Sequence, residues 1–136
     1  MGKKVVVLPC SGIGKAYGEI GRQAVYDLAE DLKPDDVKTA CLARLMIDDP
    51  ETKALVKDNF VITVDGCGMD CARKNVEDTG KQVDSALRVV DAFKKHRDLK
   101  PQGVLELGEP GLKLAHFLAE SLSEEVDCLI KKSNIK

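Results

Sequence analysis

A chain of 136 residues with 43% hydrophobic and 32% charged residues has the makeup of one globular domain, and excludes a fibrous or disordered one. A formal net charge of −2 and a pI near 5.7 argue against broad nucleic-acid binding, which needs a basic face. No apolar run is long enough to span a membrane, and the short one after Met1-Gly2-Lys3-Lys4 is too brief for a secretory signal, so a cytoplasmic protein is expected.

Val5-Val6-Val7-Leu8, stopped by Pro9, is an uninterrupted β-branched run of the kind buried on both faces of a parallel sheet. Cys10-Ser11-Gly12-Ile13-Gly14 follows as a glycine-containing turn. From Lys15 to Lys33 the residues Tyr17, Ile20, Ala24, Val25, Leu28 and Leu32 recur at helical spacing until Pro34. Strand, tight loop and helix together open a βαβ unit. Val37 to Leu42 reads as a second strand with Cys41 near its end, and Glu51 to Asp58 as a short helix after Pro50. Phe60 to Val64 is the clearest strand, running into Asp65-Gly66-Cys67-Gly68-Met69-Asp70-Cys71, where a loop turns into a helix reaching about Asp78.

Over Val83 to Phe93 two patterns compete: Val83, Leu87, Val90 and Phe93 fit a helix face, whereas Leu87-Arg88-Val89-Val90 fits a fourth strand. The established βα rhythm favours the strand. A polar stretch from Lys94 to Gln102 then precedes a last helix over about 109–131, with Leu112, Ala115, Leu118, Leu122, Val126 and Leu129 as its apolar stripe. The expected fold is a single α/β domain over residues 1–136: a short, mainly parallel sheet flanked by helices in a Rossmann-like βαβ arrangement.

Five cysteines in a reducing compartment do not read as a disulfide framework. In a parallel sheet the loops after the strands share one edge, where ligands bind. Cys10 follows the first strand, Cys41 ends the second and Cys67 follows the third; Cys71 comes about one helical turn later on the same side. Four thiolates complete a tetrahedral set for zinc. The metal-ligand candidates are therefore Cys10, Cys41, Cys67 and Cys71. Cys128, between Val126 and Leu129 on the last helix, is assigned to packing. His96, in a charged run, and His116, beside Phe117, are poor ligand candidates. Asp65 and Asp70 suit loop amides or a helix cap. Gly12 and Gly66 suit loop conformations that a side chain would obstruct. Arg73 and Lys74 are placed to offset thiolate charge around a divalent ion.

Val64-Asp65-Gly66-Cys67-Gly68-Met69-Asp70-Cys71-Ala72-Arg73-Lys74 resembles the signature of the DGC-domain family, which is named for Asp-Gly-Cys and regarded as zinc-binding on the strength of its cysteines. Pro9-Cys10-Ser11-Gly12 is similar to the family's N-terminal turn, and Cys41-Leu42-Ala43 to its middle cysteine. The resemblance runs from about Lys4 to Lys95. Ile13 stands where members often carry a further cysteine.

Other chemistries use the same residues. The Cys10-Ser11-Gly12-Ile13-Gly14-Lys15 turn, with a thiol and backbone N–H groups before a helix, suits an anion and resembles the phosphocysteine loop in the B component of sugar phosphotransferase transporters. A cysteine phosphatase would need arginine where Ala16 stands, so that reading fails. Cys67 and Cys71 could form a thiol redox or sulfur-transfer pair, one residue wider than Cys-x-x-Cys. An iron–sulfur cluster would take the same four thiolates.

Overall fold

The chain forms a four-stranded, wholly parallel sheet in the order β2-β1-β3-β4, with helices on both faces. The computed structural model describes residues 4–10, 16–66, 69–101, 103 and 107–134. β1 (Val5–Pro9) and β3 (Phe60–Asp65) lie at the centre, paired from Val5 opposite Phe60 to Pro9 opposite Val64. β2 (Val37–Thr39) extends the sheet beyond β1, and β4 (Ser85–Arg88) beyond β3. Both central strands are buried on both faces, as their unbroken apolar runs require.

Alternation along these strands divides the core in two. Val5, Val7, Ile62 and Val64 face α1 (Ala16–Asp27), α5 (Val89–Lys95) and α6 (Gly108–Asn134). Val6, Leu8 and Val61 face α2 (Leu42–Met46), α3 (Pro50–Asp58) and α4 (Cys71–Asp78). The expected α/β architecture is therefore present, and its sheet is parallel throughout.

Several elements differ from the sequence reading in instructive ways. The first helix ends its α-geometry at Asp27 and widens into one π-type turn over Leu28–Leu32, closed by the Lys33 N–H donating to the Leu28 carbonyl at 2.7 Å. β2 stops at Thr39, so Cys41 does not end a strand. It precedes α2, whose Leu42 and Leu45 sit three residues apart and share a buried face. Both readings of Val83 to Phe93 hold in part. The strand Ser85–Arg88 passes directly into α5, which buries Val89 and places the Phe93 ring 5.8 Å from that of Tyr17.

α6 is the longest element and covers α1. Its buried stripe contains Leu114, Ala115, Leu118, Ala119, Leu122, Val126 and Leu129, whereas Leu112 is half exposed. Leu112 projects within about 20° of Ala119, at the margin of the stripe and near the start of α6. The structure also corrects the assignment of Cys128 to packing. It is exposed because Val126 and Leu129 turn inward on either side of it. His96 stacks on Phe117 with ring centroids 4.6 Å apart, and His116 meets Glu120 at 3.1 Å.

Two polar groups outside the cysteine loops mark points where stability can be read. Asp49 caps α3, accepting from the Thr52 hydroxyl at 2.7 Å and the Thr52 N–H at 3.0 Å, and these bonds hold its carboxyl below the ordinary 3.8. A depressed folded pKa contributes stability above the unfolded value and loses it as pH falls through the folded one. Asp49→Ala is therefore expected to lower the thermal unfolding midpoint near neutral pH and Asp49→Asn to lower it much less. The gap between wild type and Asp49→Ala should close as a pH series passes below 3.8.

Thr63, fully buried in β3, has a hydroxyl with no hydrogen-bond partner among the described residues. A buried hydroxyl without a partner costs about 1–3 kcal/mol. Thr63→Val keeps the shape and removes that group, so chemical denaturation is expected to show a stabilisation of about 1 kcal/mol.

Candidate functional site

Because all four strands run the same way, the segments leaving β1, β2 and β3 emerge at one edge of the sheet. Cys10 is fixed there by two bonds to the neighbouring strand. Its N–H donates to the Val64 carbonyl at 2.9 Å, continuing the β1–β3 ladder, and its Sγ accepts from the Gly66 N–H at 3.3 Å. The thiol is buried at the margin of the α2–α4 core. Gly66 is needed for a second reason: a Cβ at this position would lie 3.0 Å from the Gly18 nitrogen and 3.1 Å from the Tyr17 carbonyl carbon. The chain leaving β3 thus passes directly over the start of α1.

Cys41 reaches the same edge from β2. Its backbone is extended, at φ −80° and ψ 125°, it occupies the residue before α2, and its side chain is exposed. Cys10 and Cys41 line one depression of about 350 Å3, together with Thr39 and with Arg22 and Tyr26 of α1 and Arg44 of α2. Both guanidinium groups already have carboxylate partners: Arg22 with Glu19 at 2.5 Å, and Arg44 with Asp49 at 3.4 Å and Glu51 at 3.9 Å. A second hollow, of about 480 Å3, lies on α6 against Leu112, His116 and Phe117 and contains no cysteine.

Cys71 is the first residue of α4 and is exposed. Asp65, at the end of β3, is buried and bends its carboxylate onto the start of that helix. It accepts from the Ala72 N–H at 2.7 Å and the Arg73 N–H at 3.3 Å. Burial pushes its carboxyl above the ordinary 3.8, against the opposing pull of those two amides. The expected capping role for Asp65 is met from seven residues away. Asp70 occupies the cap position with left-handed backbone, φ 54° and ψ 45°, and its side chain does not cap. Instead it receives Arg88 at two points: Nε to Oδ1 at 2.8 Å and an Nη to Oδ2 at 2.5 Å. Arg88 holds the Asp70 carboxyl below the usual carboxylate range, and Asp70 raises the Arg88 guanidinium in turn.

Arg73 pairs with Glu77 at 3.3 Å on the outer face of α4, and Lys74 is exposed beside it. Both add positive potential at Asp70. Ser11, Gly12 and Cys67, named from sequence, lie outside the described residues. Arg88 had no sequence signal, since only the pairing of β3 with β4, Asp65 opposite Arg88, brings it to this edge.

Soft thiolate donors fit zinc or another thiophilic ion, and Cys10 and Cys41 share a depression. Among the described residues, no three of the His, Cys, Asp and Glu side chains stand close enough to share a metal. Cys10, Cys41 and Cys71 therefore do not form a three-thiol set as they stand, and a four-cysteine site requires their segments to draw together with Cys67 on binding.

These features define a class: an α/β protein whose strand-end loops present thiols at one sheet edge, with acidic residues ordering the helix that follows. A family model described as DGC domain matches residues 6–107, which is most of the chain. The chain belongs to the DGC-domain family. No curated protein and no solved structure matches it.

Removing the Asp65 acceptor strands two amides at the start of α4. Asp65→Ala is expected to destabilise the fold by about 1–3 kcal/mol in urea unfolding. Amide exchange at Ala72 and Arg73 should rise before exchange in β1 does.

Proposed function

We propose that this chain is a metal-binding protein that holds one zinc ion through Cys10, Cys41, Cys67 and Cys71. The observation that carries the reading is the shared depression lined by Cys10 and Cys41, two thiols distant in sequence, at the edge where Cys71 also opens its helix. Membership in a family defined by the Asp65-Gly66-Cys67 string supports it. Thiolates select a thiophilic ion over magnesium or calcium, which prefer oxygen. Bound there, the ion supplies a cross-link between the segments following β1, β2 and β3.

The protein's own groups prepare that edge. The Gly66 N–H orients the Cys10 sulfur. Asp65 and Arg88 order the chain on either side of Cys71, and Arg73 and Lys74 add the positive field that offsets thiolate charge. With four thiolates the site would be closed, which makes the role structural or one of carriage. Among the described residues no helix is long and apolar enough to cross a membrane.

Protein purified without a tag and kept anaerobic is expected to carry about one metal ion per chain, to lose it on Cys67→Ser and to keep it on Cys128→Ser. Elemental analysis with thiol titration checks this. No bound metal, with an unfolding midpoint unmoved by added zinc, would overturn the proposal. A redox pair at Cys67 and Cys71 would instead give a reversible loss of two thiols. Phosphoryl carriage would give a phosphate adduct on Cys10 that survives Cys67→Ser.

A further inference from the structure

Cys71 is gripped on both sides by groups that are not themselves thiols. On one side Asp65 takes the amides of Ala72 and Arg73. On the other, Arg88 takes both carboxylate oxygens of Asp70, the residue immediately before Cys71. Asp65 and Arg88 face each other across β3 and β4, so a single rung of the sheet supplies both grips.

The second grip has work that a helix cap alone does not. Asp70 sits in the left-handed region at φ 54°, a conformation that aspartate tolerates at a cost and that turns the chain sharply into α4. Its carbonyl accepts the first hydrogen bond of that helix, from the Lys74 N–H at 2.9 Å. An isolated surface ion pair contributes little, but this one is bidentate and its Asp70 side chain is only 13% exposed, so its geometry is fixed at both ends. Arg88 is itself anchored, as the last residue of β4 and the residue before α5.

We propose that Arg88 is a positioning residue for the Cys71 thiol, acting through Asp70 to set the direction from which Cys71 approaches a metal. The inference rests on the thiolate site proposed above. Groups that orient a ligand without touching the metal typically contribute about 10- to 100-fold to affinity.

The test measures zinc affinity by competition with a chromophoric chelator, on full-length folded protein well below its unfolding midpoint, so that a general loss of stability does not move the readout. Arg88→Met is expected to weaken zinc binding by about 10- to 100-fold, and Arg88→Lys, which keeps the charge and loses the fork, to recover only part. Asp70→Asn should match Arg88→Met, and the double variant should bind no more weakly than either single one. Wild-type affinity in Arg88→Met, or strictly additive losses in the double variant, would overturn the assignment. Amide exchange on metal-free protein separates this from a failure of the metal reading. If the wild type binds no zinc, the clamp still stands or falls on whether Arg88→Met speeds exchange at Lys74 while β1 stays protected. Unchanged exchange there would sink it.

Discussion

The pairing of β1 with β3 is the constraint on which the remaining structure hangs. Five consecutive residue pairs, from Val5 with Phe60 to Pro9 with Val64, join two strands almost devoid of exposed surface. Strands of this kind are stable only between two helical layers, so the register decides where every flanking helix begins. The ladder does not stop at the last pair. Cys10 adds one more backbone bond to Val64, and its sulfur then receives the Gly66 N–H. A rung made partly of sulfur thus closes the sheet at the edge where the chain places its other thiol-bearing segments.

Beyond that rung the order is polar. Asp65 would be a costly buried carboxylate if its oxygens faced only apolar side chains, and the two α4 amides are what make its position tenable. Asp70, five residues on, solves a different problem. It carries a strained turn, and Arg88 compensates from the adjoining strand. Two aspartates that look interchangeable in the string Asp65 to Cys71 therefore have unlike environments: burial raises one carboxyl, while its cationic partner lowers the other.

The sheet was legible in the sequence because its central strands are continuous β-branched runs, which no surface element would carry. α1 and α6 followed from helical spacing, and α4 from the loop that leaves the third strand. What could not be read were features depending on partners distant in the chain. The pattern of Leu87 to Val90 was ambiguous because a strand end and a helix start share those residues. Cys41 reads as strand until Leu42 and Leu45 are seen to bury a helical face. Helical spacing placed Leu112 in the stripe and apolar chemistry placed Cys128 in the core, whereas both are exposed on α6. The edge location of Cys10 and Cys41 was legible from topology. The Asp70–Arg88 pair was not, since eighteen residues and a β-strand separate its members.

The two layers of helix carry unequal duties. α6 lies against α1 on the face lined by Val5, Val7, Ile62 and Val64, while α2 and α4, which follow Cys41 and begin with Cys71, lie on the other. The family match ends at residue 107, just before α6 begins. Substitutions on the outer surface of the long helix therefore lie a full layer of strands away from α2 and α4, provided its buried stripe keeps covering α1. Because α1 and α5 lie within the matched residues and share the face of α6, a change in the buried stripe of α6 reaches the sheet through them.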